Sequence, residues 1–451
     1  MTQQLPDGWI EVEIGHCLKL TNGYPFKPAQ WSREGLPIIR IQNLNNPAAP
    51  FNRCDEKIPD KVRVRKGDLL FAWSGTPGTS FGAHIWEGGD AWLNQHIFKV
   101  EYAPSQFDKT FLRHAINMNL NEYIADAHGG AGLAHITKGR FEASTLRVPP
   151  IQEQRRIVAK LNSVLARVIA CQQRLEKIPT LVTRFRETVL SAACSGRLTQ
   201  SWRCQTHSST TPQTADLSDE TFPPDWQTKT LGSMSTLVTS GSRGWARFYA
   251  TAGPKFIRAQ NISGDCLNLD DVAFVSPPGG TEGLRTRVQR YDLLVTITGA
   301  NVGKTALVEE ELGDAYVSQH VGLIRLGDKE LSGFAFLWLL SRAHGRGELL
   351  EAAYGQGKPG LNLNNLRNIE IAFPPAEEQG EILRIVKKLL GLADRLEARV
   401  TTAQKRVGSL RQSVLSRAFR GDLVQTDEEI AELKTYESDI SGMTLAAARM
   451  R

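Results

Sequence analysis

Two long stretches of the chain carry apolar residues at alternating steps of four and three positions. This is the a/d pattern of a coiled coil, and each stretch sustains it for more than four heptads. We therefore predict two long helices that each present one apolar seam. The predicted seam positions are Ile157, Leu161, Val164, Val168, Leu175, Ile178, Val182, Phe185 and Val189 in the first helix, and Ile382, Val386, Leu389, Leu396, Val400, Val407, Leu410 and Val414 in the second.

The ends of both helices carry matching signals. A double proline followed by acidic residues precedes each seam, and both residue types suit the first turn of a helix. Glycine, which commonly terminates helices, follows the seams at Gly196 and Gly421. These signals predict a central helix over residues 149–196 and a distal helix over residues 374–424. Pro179 should kink the first helix, because it removes one backbone hydrogen bond.

Shorter patterns fill the segments before each long helix, residues 1–148 and 222–373. Short apolar runs at residues 69–73 and 293–297, with glycine and proline between such runs, are typical of buried strands. The apolar stretch at residues 334–342 is typical of a short helix. We therefore predict a compact α+β domain for each segment.

Short motifs of the first half return in the same order in the second half. LPDGW returns as FPPDW, GDAWLNQH as GDAYVSQH, VPPIQEQRRI as FPPAEEQGEI, and TVLSAACSGRL as SVLSRAFRGDL. The offset between the copies drifts only from 217 to 225 residues, which indicates duplication of one large unit and not a solenoid. We expect two globular domains related by a pseudo-two-fold axis and separated by an antiparallel pair of coiled-coil helices. The alternative is that each helix packs on its own domain.

Composition narrows the class of protein. The 451 residues are 41% hydrophobic and 23% charged, which permits packed cores and excludes global disorder. No apolar run could span a bilayer, no signal segment is evident, and the six cysteines lack metal or disulfide spacing, so we expect a cytoplasmic protein. The net charge of +6 falls mostly on the predicted helices and is weak support for nucleic-acid binding. Residues 197–221 are predicted to be a linker and residues 425–451 a C-terminal tail.

No pattern for catalysis or for a metal site is evident. GANVGKT at residues 299–305 has three residues between its first glycine and the Gly-Lys pair, whereas a phosphate-binding loop needs four, so we expect a tight turn. The matched pairs Gln95-His96 and Gln319-His320 have no nucleophile or acid beside them, which favours structural hydrogen bonding. The helix-entry prolines lack the Asn or Asp of the amino-methyltransferase motif. We predict no catalytic residue, and no cofactor or metal bound by this chain.

The motif set resembles that of a known family. Two variable domains introduced by LPDGW and FPPDW alternate with helices that open with PPIQEQRRIV and PPAEEQGEIL and close with VLSAACSGRL and VLSRAFRGDL. This arrangement resembles the specificity subunit of type I restriction-modification systems over about residues 5–424. The resemblance implies a non-catalytic DNA-binding chain, in which each globular domain is a target-recognition domain for one half of a bipartite, asymmetric site.

The resemblance also implies partners. The helices would space the two halves of the site on double-stranded DNA and dock two adenine methyltransferase subunits, and up to two restriction-translocase subunits would join them. S-adenosylmethionine, ATP and Mg²⁺ would act on those partners. The alternative is a duplicated coiled-coil scaffold or adaptor that does not bind DNA, which the nearly neutral globular domains would suit.

Duplication sorts the candidate DNA contacts into two groups. Residues identical in both copies cannot distinguish the half-sites and so suit contacts to the DNA backbone, with a purely structural role as the alternative. These are Arg40, Gln42, Asn43, Arg258, Gln260 and Asn261. Base reading should lie in loops where the copies differ, because Arg pairs with guanine and Asn with adenine through forked hydrogen bonds. The candidates there, with a solvated loop as the alternative, are Tyr24, Lys27, Arg33, Ser74, Thr76, His135, Lys138, Arg140, Arg243, Arg247, Asn301, Lys304, Lys358, Asn362 and Asn364.

Overall fold

Two compact units make up the chain. The first contains Met1–Leu175 and Ala403–Arg451, and the second contains Glu176–Thr402. The two long helices, Ile151–Cys194 and Ala376–Ala418, each contribute a part to both units. The structure, a computed structural model, describes the following residues: 5–46, 48–75, 79–120, 134–206, 222–277, 281–353, 359–425 and 430.

The globular part of the first unit is built on two small sheets. One four-stranded antiparallel sheet has the order Leu18–Asn22, Ile97–Tyr102, Leu69–Ala72, Gly82–Ile85. The other has the order Arg53–Cys54, Leu36–Ile39, Ala91–Leu93, Arg63–Val64. Two further strand pairs are Ile10–Glu13 with Thr145–Val148, and Ser74–Gly75 with Ala134–His135. The shorter helices are Ile14–Cys17, Pro28–Gln30, Ile41–Asn45, Asp60–Val62, Lys109–Met118 and Lys138–Ala143.

The second unit repeats this plan. Its antiparallel sheet has the order Ser235–Ser240, Val321–Leu326, Leu293–Thr296, Thr305–Leu307. A three-stranded sheet has the order Ala273–Val275, Tyr249–Ile257, Ala315–Val317. Two strand pairs are Gln227–Thr230 with Glu370–Phe373, and Ile262–Ser263 with Cys266–Leu267. The shorter helices are Arg197–Thr199, Gln200–Thr206, Leu231–Met234, Trp245–Phe248, Ala259–Asn261, Thr281–Thr286, Lys329–Leu331, Ser332–Leu340, Gly345–Ala352 and Leu363–Arg367.

The unbroken apolar run at residues 69–72 is explained by burial on both faces of its sheet. Side chains of a strand point alternately to its two faces, so a strand covered on both sides needs no polar positions. Leu69 and Phe71 lie in one hydrophobic core, and Leu70 and Ala72 lie in another. The matching strand Leu293–Thr296 is buried in the same way.

The long helices pack antiparallel within each unit. In the first unit Ile157, near the start of the first helix, shares a core with Ala418 at the end of the second. In the second unit Val189, near the end of the first helix, shares a core with Val386 near the start of the second. Both cores also contain residues of the globular part of the unit, such as Trp226 in the second unit. The predicted α+β fold with antiparallel helices is therefore confirmed. Each long helix packs against the other helix along the seam and also against the globular part of the unit.

The predicted seam positions differ in their exposure. Buried positions are Ile157, Leu161, Val168, Val182, Val189, Ile382, Val386, Val400 and Val407. Half-buried positions are Val164, Leu175, Ile178, Leu389 and Val414. Phe185, Leu396 and Leu410 are exposed at 38%, 42% and 48%, so the helix pair alone does not cover them. Within the described residues no helix is both long and apolar enough to cross a membrane.

The glycine after each long helix is required for two reasons, a positive φ angle and a proline ring that leaves no space for a side chain. Gly196 and Gly421 have φ angles of +76° and +86°, in the left-handed region where a side chain is disfavoured. A Cβ atom at Gly196 would lie 2.6 Å from the Pro223 ring, and one at Gly421 would lie 2.5 Å from the Pro6 ring. Each exit glycine therefore packs against the proline of a domain-entry motif.

The segment after the first long helix is more ordered than its composition indicated. Residues 197–206, predicted as the start of a linker, form the short helices Arg197–Thr199 and Gln200–Thr206. Thr199 is fully buried, and Arg203 Nη2 donates to the Gly196 carbonyl at 2.7 Å. Tertiary contacts order this Ser/Thr-containing segment. The rest of the predicted linker, residues 207–221, and most of the predicted tail lie outside the described residues.

The first unit is expected to lose stability in mild acid because of His114. Burial lowers the pKa of His114 from 6.5 to about 4, and repulsion from Arg113 and Arg411 lowers it further. The folded chain therefore keeps this imidazole neutral while the unfolded chain protonates it near pH 6.5. Since the unfolded state binds the extra proton, stability is lost as the pH falls from 6.5 towards 4, by up to about 3 kcal/mol.

The His114→Gln variant tests this pH dependence. The amide oxygen can still accept from Arg113, whose Nη2 lies 3.0 Å from Nε2 of His114, but it does not titrate. Urea unfolding at pH 7 and pH 5 should show a smaller loss for the variant than for the parent chain. Equal losses in the two proteins would contradict the assignment.

Candidate nucleic-acid interface

A buried hydrogen bond joins the start of each globular part to a long helix. Trp9 Nε1 donates to Glu153 Oε1 at 2.9 Å, and Trp226 Nε1 donates to Glu378 Oε2 at 3.0 Å. The two glutamates are exposed by only 0% and 2%. From the sequence, acidic residues at this position were expected only to interact favourably with the helix dipole. The signal that could have found the bonds is the recurrence of both the tryptophan and the glutamate in the two copies.

The carboxylate of Glu378 holds additional groups in the second unit. Thr199 Oγ1 donates to Glu378 Oε1 at 2.6 Å, and the Arg203 guanidinium donates to the same oxygen. Trp226 donates to the other oxygen. Charge-assisted bonds of this kind are stronger than neutral ones. Glu378 therefore connects the domain entry, the long helix and the segment after the first helix.

Asn43 and Asn261 have a structural role. Both are buried, at 2% and 3% exposure, and their Oδ1 atoms accept from the backbone N–H of Arg40 and Arg258 at 3.0 Å. Their amide nitrogens donate to loop carbonyls, that of Asn43 to Ala49 at 3.2 Å. Because these groups are already satisfied inside the fold, the structure favours the structural alternative over DNA contact for both residues.

The other residues identical in both copies lie at the surface of the same turns. The Arg40 guanidinium lies over the ring of a tryptophan with 5.7 Å to the ring centroid. Gln42 is exposed and donates weakly to a backbone carbonyl at 3.4 Å. Arg258 Nη2 donates to the Asp271 carbonyl at 2.9 Å, and Gln260 donates to the Asp271 carboxylate at 3.1 Å. These four residues remain candidates for backbone contacts.

A cluster of aromatic rings surrounds Trp73 in the first unit. The Trp73 ring lies 5.2 Å from the ring of His96 and 4.8 Å from that of His135, measured between centroids. Burial lowers the pKa of His96, and the neighbouring His135 and Arg40 lower it further. Ser74 pairs with His135 across a short strand pair. The structure thus brings together Ser74 and His135, which were predicted separately.

In the second unit the equivalent region is an open cleft of about 280 Å³. Its lining includes Arg258, Gln260 and His320, which have counterparts in the first copy. Arg243 is exposed on the loop whose neighbouring residues, Ser242 and Gly244, line the cleft. The cleft therefore combines residues shared by both copies with a loop that differs between them.

The remaining candidates of the first copy differ in their local contacts. Tyr24 packs edge-to-face on a neighbouring phenylalanine, with 4.9 Å between ring centroids. Lys138 donates to a backbone carbonyl at 3.1 Å and lies 3.5 Å from the carboxylate four residues further on. Lys27, Arg33 and Arg140 are exposed. The local engagement of Tyr24 and Lys138 makes Lys27 and Arg33 the better base-reading candidates here.

The remaining candidates of the second copy mostly support local structure. The Arg247 guanidinium lies over a phenylalanine ring at 4.8 Å from its centroid. Asn362 accepts from a backbone N–H at 2.9 Å and caps the helix Leu363–Arg367, and Asn364 accepts from an arginine at 3.1 Å. Thr76 of the first copy and Lys358 of the second copy lie outside the described residues.

The GANVGKT segment forms a hairpin turn. It connects the antiparallel strands Leu293–Thr296 and Thr305–Leu307, and the Lys304 N–H donates to the Asn301 carbonyl at 3.1 Å. A phosphate-binding loop would instead lead from a strand into a helix. Among the described residues no group of three or more His, Cys, Asp or Glu side chains is placed to hold a metal ion.

Comparison with known proteins gives consistent matches along the chain. A family model for the type I restriction modification DNA specificity domain matches residues 6–180 and 223–403. The chain is 30% identical over 450 residues to the type I restriction enzyme EcoBI specificity subunit of Escherichia coli, covering 98% of this chain and 91% of that one. It is 26% identical over 473 residues to the EcoKI specificity subunit of Escherichia coli strain K12, covering 99% and 94%.

Solved structures show the same fold. The HsdS subunit from Thermoanaerobacter tengcongensis aligns with a TM-score of 0.61 at 19% identity, covering 93% of this chain and 99% of that chain. A chain from a structure of the complex assembly and conformational transition of the type I R-M system aligns with a TM-score of 0.63 at 19% identity and the same coverage. With two matched family domains and a relative at 30% identity, the chain belongs to the family of type I restriction-modification specificity subunits.

Proposed function

We propose that the chain is the sequence-specific DNA-recognition subunit of a type I restriction-modification complex. Each globular part reads one half of a bipartite, asymmetric target site. The observation that supports this function is a set of residues that is repeated in both copies, here called the frame, and that is surrounded by different side chains in each copy. The frame consists of the Arg40 and Arg258 turns and the two Gln-His pairs.

The side chains around this frame support two unequal half-sites. His135 is bridged to Ser74 in the first copy, and in the second copy the matching bridge joins Gly360 to Thr298. Trp73, which lies between the rings of His96 and His135, corresponds to Ile297 of the second copy. An aromatic surface formed by Trp73, His96 and His135 and an open cleft offer different groups to base edges. The chain would therefore recognise different base sequences through its two copies.

The long helices offer a surface for the partners. In the second unit they expose four large apolar side chains, Leu181, Phe185, Leu392 and Leu396, by 38–59%. Two adenine methyltransferase subunits would dock on the helices, and up to two restriction-translocase subunits would join the assembly. S-adenosylmethionine, ATP and Mg²⁺ would be used by those subunits, and this chain would be non-catalytic.

Family membership favours DNA recognition over a scaffold that does not bind DNA, because the curated relatives are specificity subunits of restriction enzymes. A chain that reads cellular DNA works where that DNA lies, so a cytoplasmic location is part of the proposal. Sequencing that detects modified adenines, applied to cells expressing this chain with its methyltransferase, should reveal one bipartite methylated sequence. Methylation without any common sequence would contradict the function.

Arg243→Ala is expected to relax one half-site only. Arg243 is exposed beside the cleft of the second unit, and loss of one forked contact to a base removes about 1–3 kcal/mol of discrimination. The methylated sequences should become degenerate at one position of one half-site, while the other half stays intact. Lys229→Ala removes an exposed cation from a strand of the same unit and should leave the sequence unchanged. An unchanged pattern with Arg243→Ala would exclude Arg243 from base reading.

A further inference from the structure

The cleft of the second unit contains two buried polar atoms that have no hydrogen-bond partner among the described residues. They are Oγ of Ser318 and Nε of Arg258, and both residues line the cleft. Ser318 is only 5% exposed. Buried donors are nearly always satisfied, because leaving one without a partner costs its full desolvation free energy. Two such donors in one cleft indicate a ligand that supplies acceptor atoms.

The guanidinium of Arg258 is held in place for such a ligand. Its Nη2 atom donates to the Asp271 carbonyl at 2.9 Å and lies 3.7 Å from the Asp271 carboxylate, which is 90% exposed. The backbone N–H of Arg258 is fixed by Asn261 at 3.0 Å. These contacts engage the Nη2 edge of the guanidinium and the residue's backbone, and they leave the buried Nε without a partner among the described residues.

The two donors match an anion with several acceptor oxygens. Arginine is always charged and binds phosphate in a planar, forked geometry, and a serine hydroxyl can donate to a second oxygen of the same group. At about 280 Å³ the cleft is large enough for a phosphate with part of its sugar. Tyr249, exposed at 49%, and the buried Trp245 line the same cleft and could border that sugar.

The first copy repeats the polar part of this site. Arg40 occupies the position of Arg258, Gln95-His96 that of Gln319-His320, and Asn94 that of Ser318. The Nδ1 atom of His96 is also buried without a hydrogen-bond partner among the described residues. The arginine and the Gln-His pair are shared by both copies and cannot tell one half-site from the other, which suits the DNA backbone and not base edges. Ser318 differs from Asn94, but both side chains carry a hydrogen-bond donor.

Resting on the proposed function, we propose that Arg258 and Ser318 bind one phosphate of the DNA backbone in the half-site read by the second unit. This contact positions the half-site and does not read its sequence.

Binding of the assembled methyltransferase complex to two duplexes tests the site, one duplex with the methylated sequence and one without it. Arg258→Gln should weaken binding to both duplexes by the same factor, about 10-fold or more, and reduce the slope of log affinity against log salt by about one. Ser318→Ala, which removes only a hydroxyl, should weaken both by about 3- to 10-fold with the slope unchanged. Lys229→Gln is the matched control outside the cleft, and thermal melting of each variant checks its folding.

A methylphosphonate linkage, which neutralises a single phosphate, identifies the contact directly. Placed at successive positions of the half-site, it should weaken the parent complex at one position and have no further effect on the Arg258→Gln complex. The assignment would be overturned if Arg258→Gln changed the methylated sequence, or if both variants bound DNA as tightly as the parent. A parent complex with no preference for the methylated sequence would instead contradict the proposed function itself.

Discussion

Glu378→Leu is expected to lower the free energy of unfolding of the chain by about 3–5 kcal/mol, because it removes one partner of a buried ion pair. Glu378 is 2% exposed, and its carboxylate accepts from Trp226 and Thr199 as well as from Arg203. Leucine fills a similar volume but accepts no hydrogen bond. The variant therefore leaves the indole N–H of Trp226 in the interior without an acceptor. It also removes the carboxylate that pairs with Arg203, whose guanidinium keeps only its neutral acceptors, such as the Gly196 carbonyl.

Urea unfolding of the purified chain, followed by circular dichroism, measures this loss. Glu377→Leu is the matched control, since the same substitution at the exposed neighbouring position should change stability by no more than about 0.5 kcal/mol. Adding Trp226→Phe should cost less in the Glu378→Leu chain than in the parent, because the two side chains share one hydrogen bond. A midpoint for Glu378→Leu equal to that of the control would show that the buried contacts do not stabilise the unit.

Features that depend on local spacing could be predicted from the sequence. The heptads predicted the two long helices, and the glycines at 196 and 421 predicted their ends, because helix periodicity and capping are set within a few residues. The apolar runs predicted the strands Leu69–Ala72 and Leu293–Thr296 for the same reason. Duplication then supplied the domain organisation, since each motif was present twice.

Features that depend on distant pairing could not be predicted in this way. Glu153 and Glu378 were recognised as first-turn acids, but their tryptophan partners lie 144 and 152 residues away in the sequence. Asn43 and Asn261 have the chemistry of DNA contacts, and only the path of the loop that follows each one buries its amide. The buried donors of the cleft come together only because residue 318 approaches residue 258 in the fold, and sequence spacing does not show this approach.

The heptad pattern also could not tell which seam positions a helix partner covers. Phe185 and Leu396 follow the same spacing as their buried neighbours, yet they are 38% and 42% exposed in this chain. Arg186, next to Phe185, pairs with Asp394 and Glu397, which flank Leu396, at 2.7 Å. The two apolar side chains therefore lie at the same level of the helix pair, and a further protein could cover both.

Phe185→Asp combined with Leu396→Asp is therefore expected to abolish assembly with the methyltransferase while leaving the chain folded. Full burial of a large apolar side chain contributes about 1.5–3 kcal/mol, and a partner can cover only the 38% and 42% of these two that is exposed, so together they contribute about 1–2 kcal/mol. Desolvating the two new charges costs more than this, so association should weaken by at least about 100-fold. Co-purification with a tagged methyltransferase and adenine methylation of host DNA should both be lost. Thermal melting of the isolated chain should change little, because neither side chain is buried in it.

Ala398→Asp provides the control for this double variant. Ala398 is exposed on the same helix, two residues and so about 200° around the axis from Leu396, and its substitution adds the same charge outside the apolar surface. This control should assemble and methylate like the parent chain. If the double variant co-purified as well as the control, the exposed apolar side chains of the helix pair would have no part in docking the methyltransferase. If both failed, added charge alone would explain the loss, and the contact would be electrostatic.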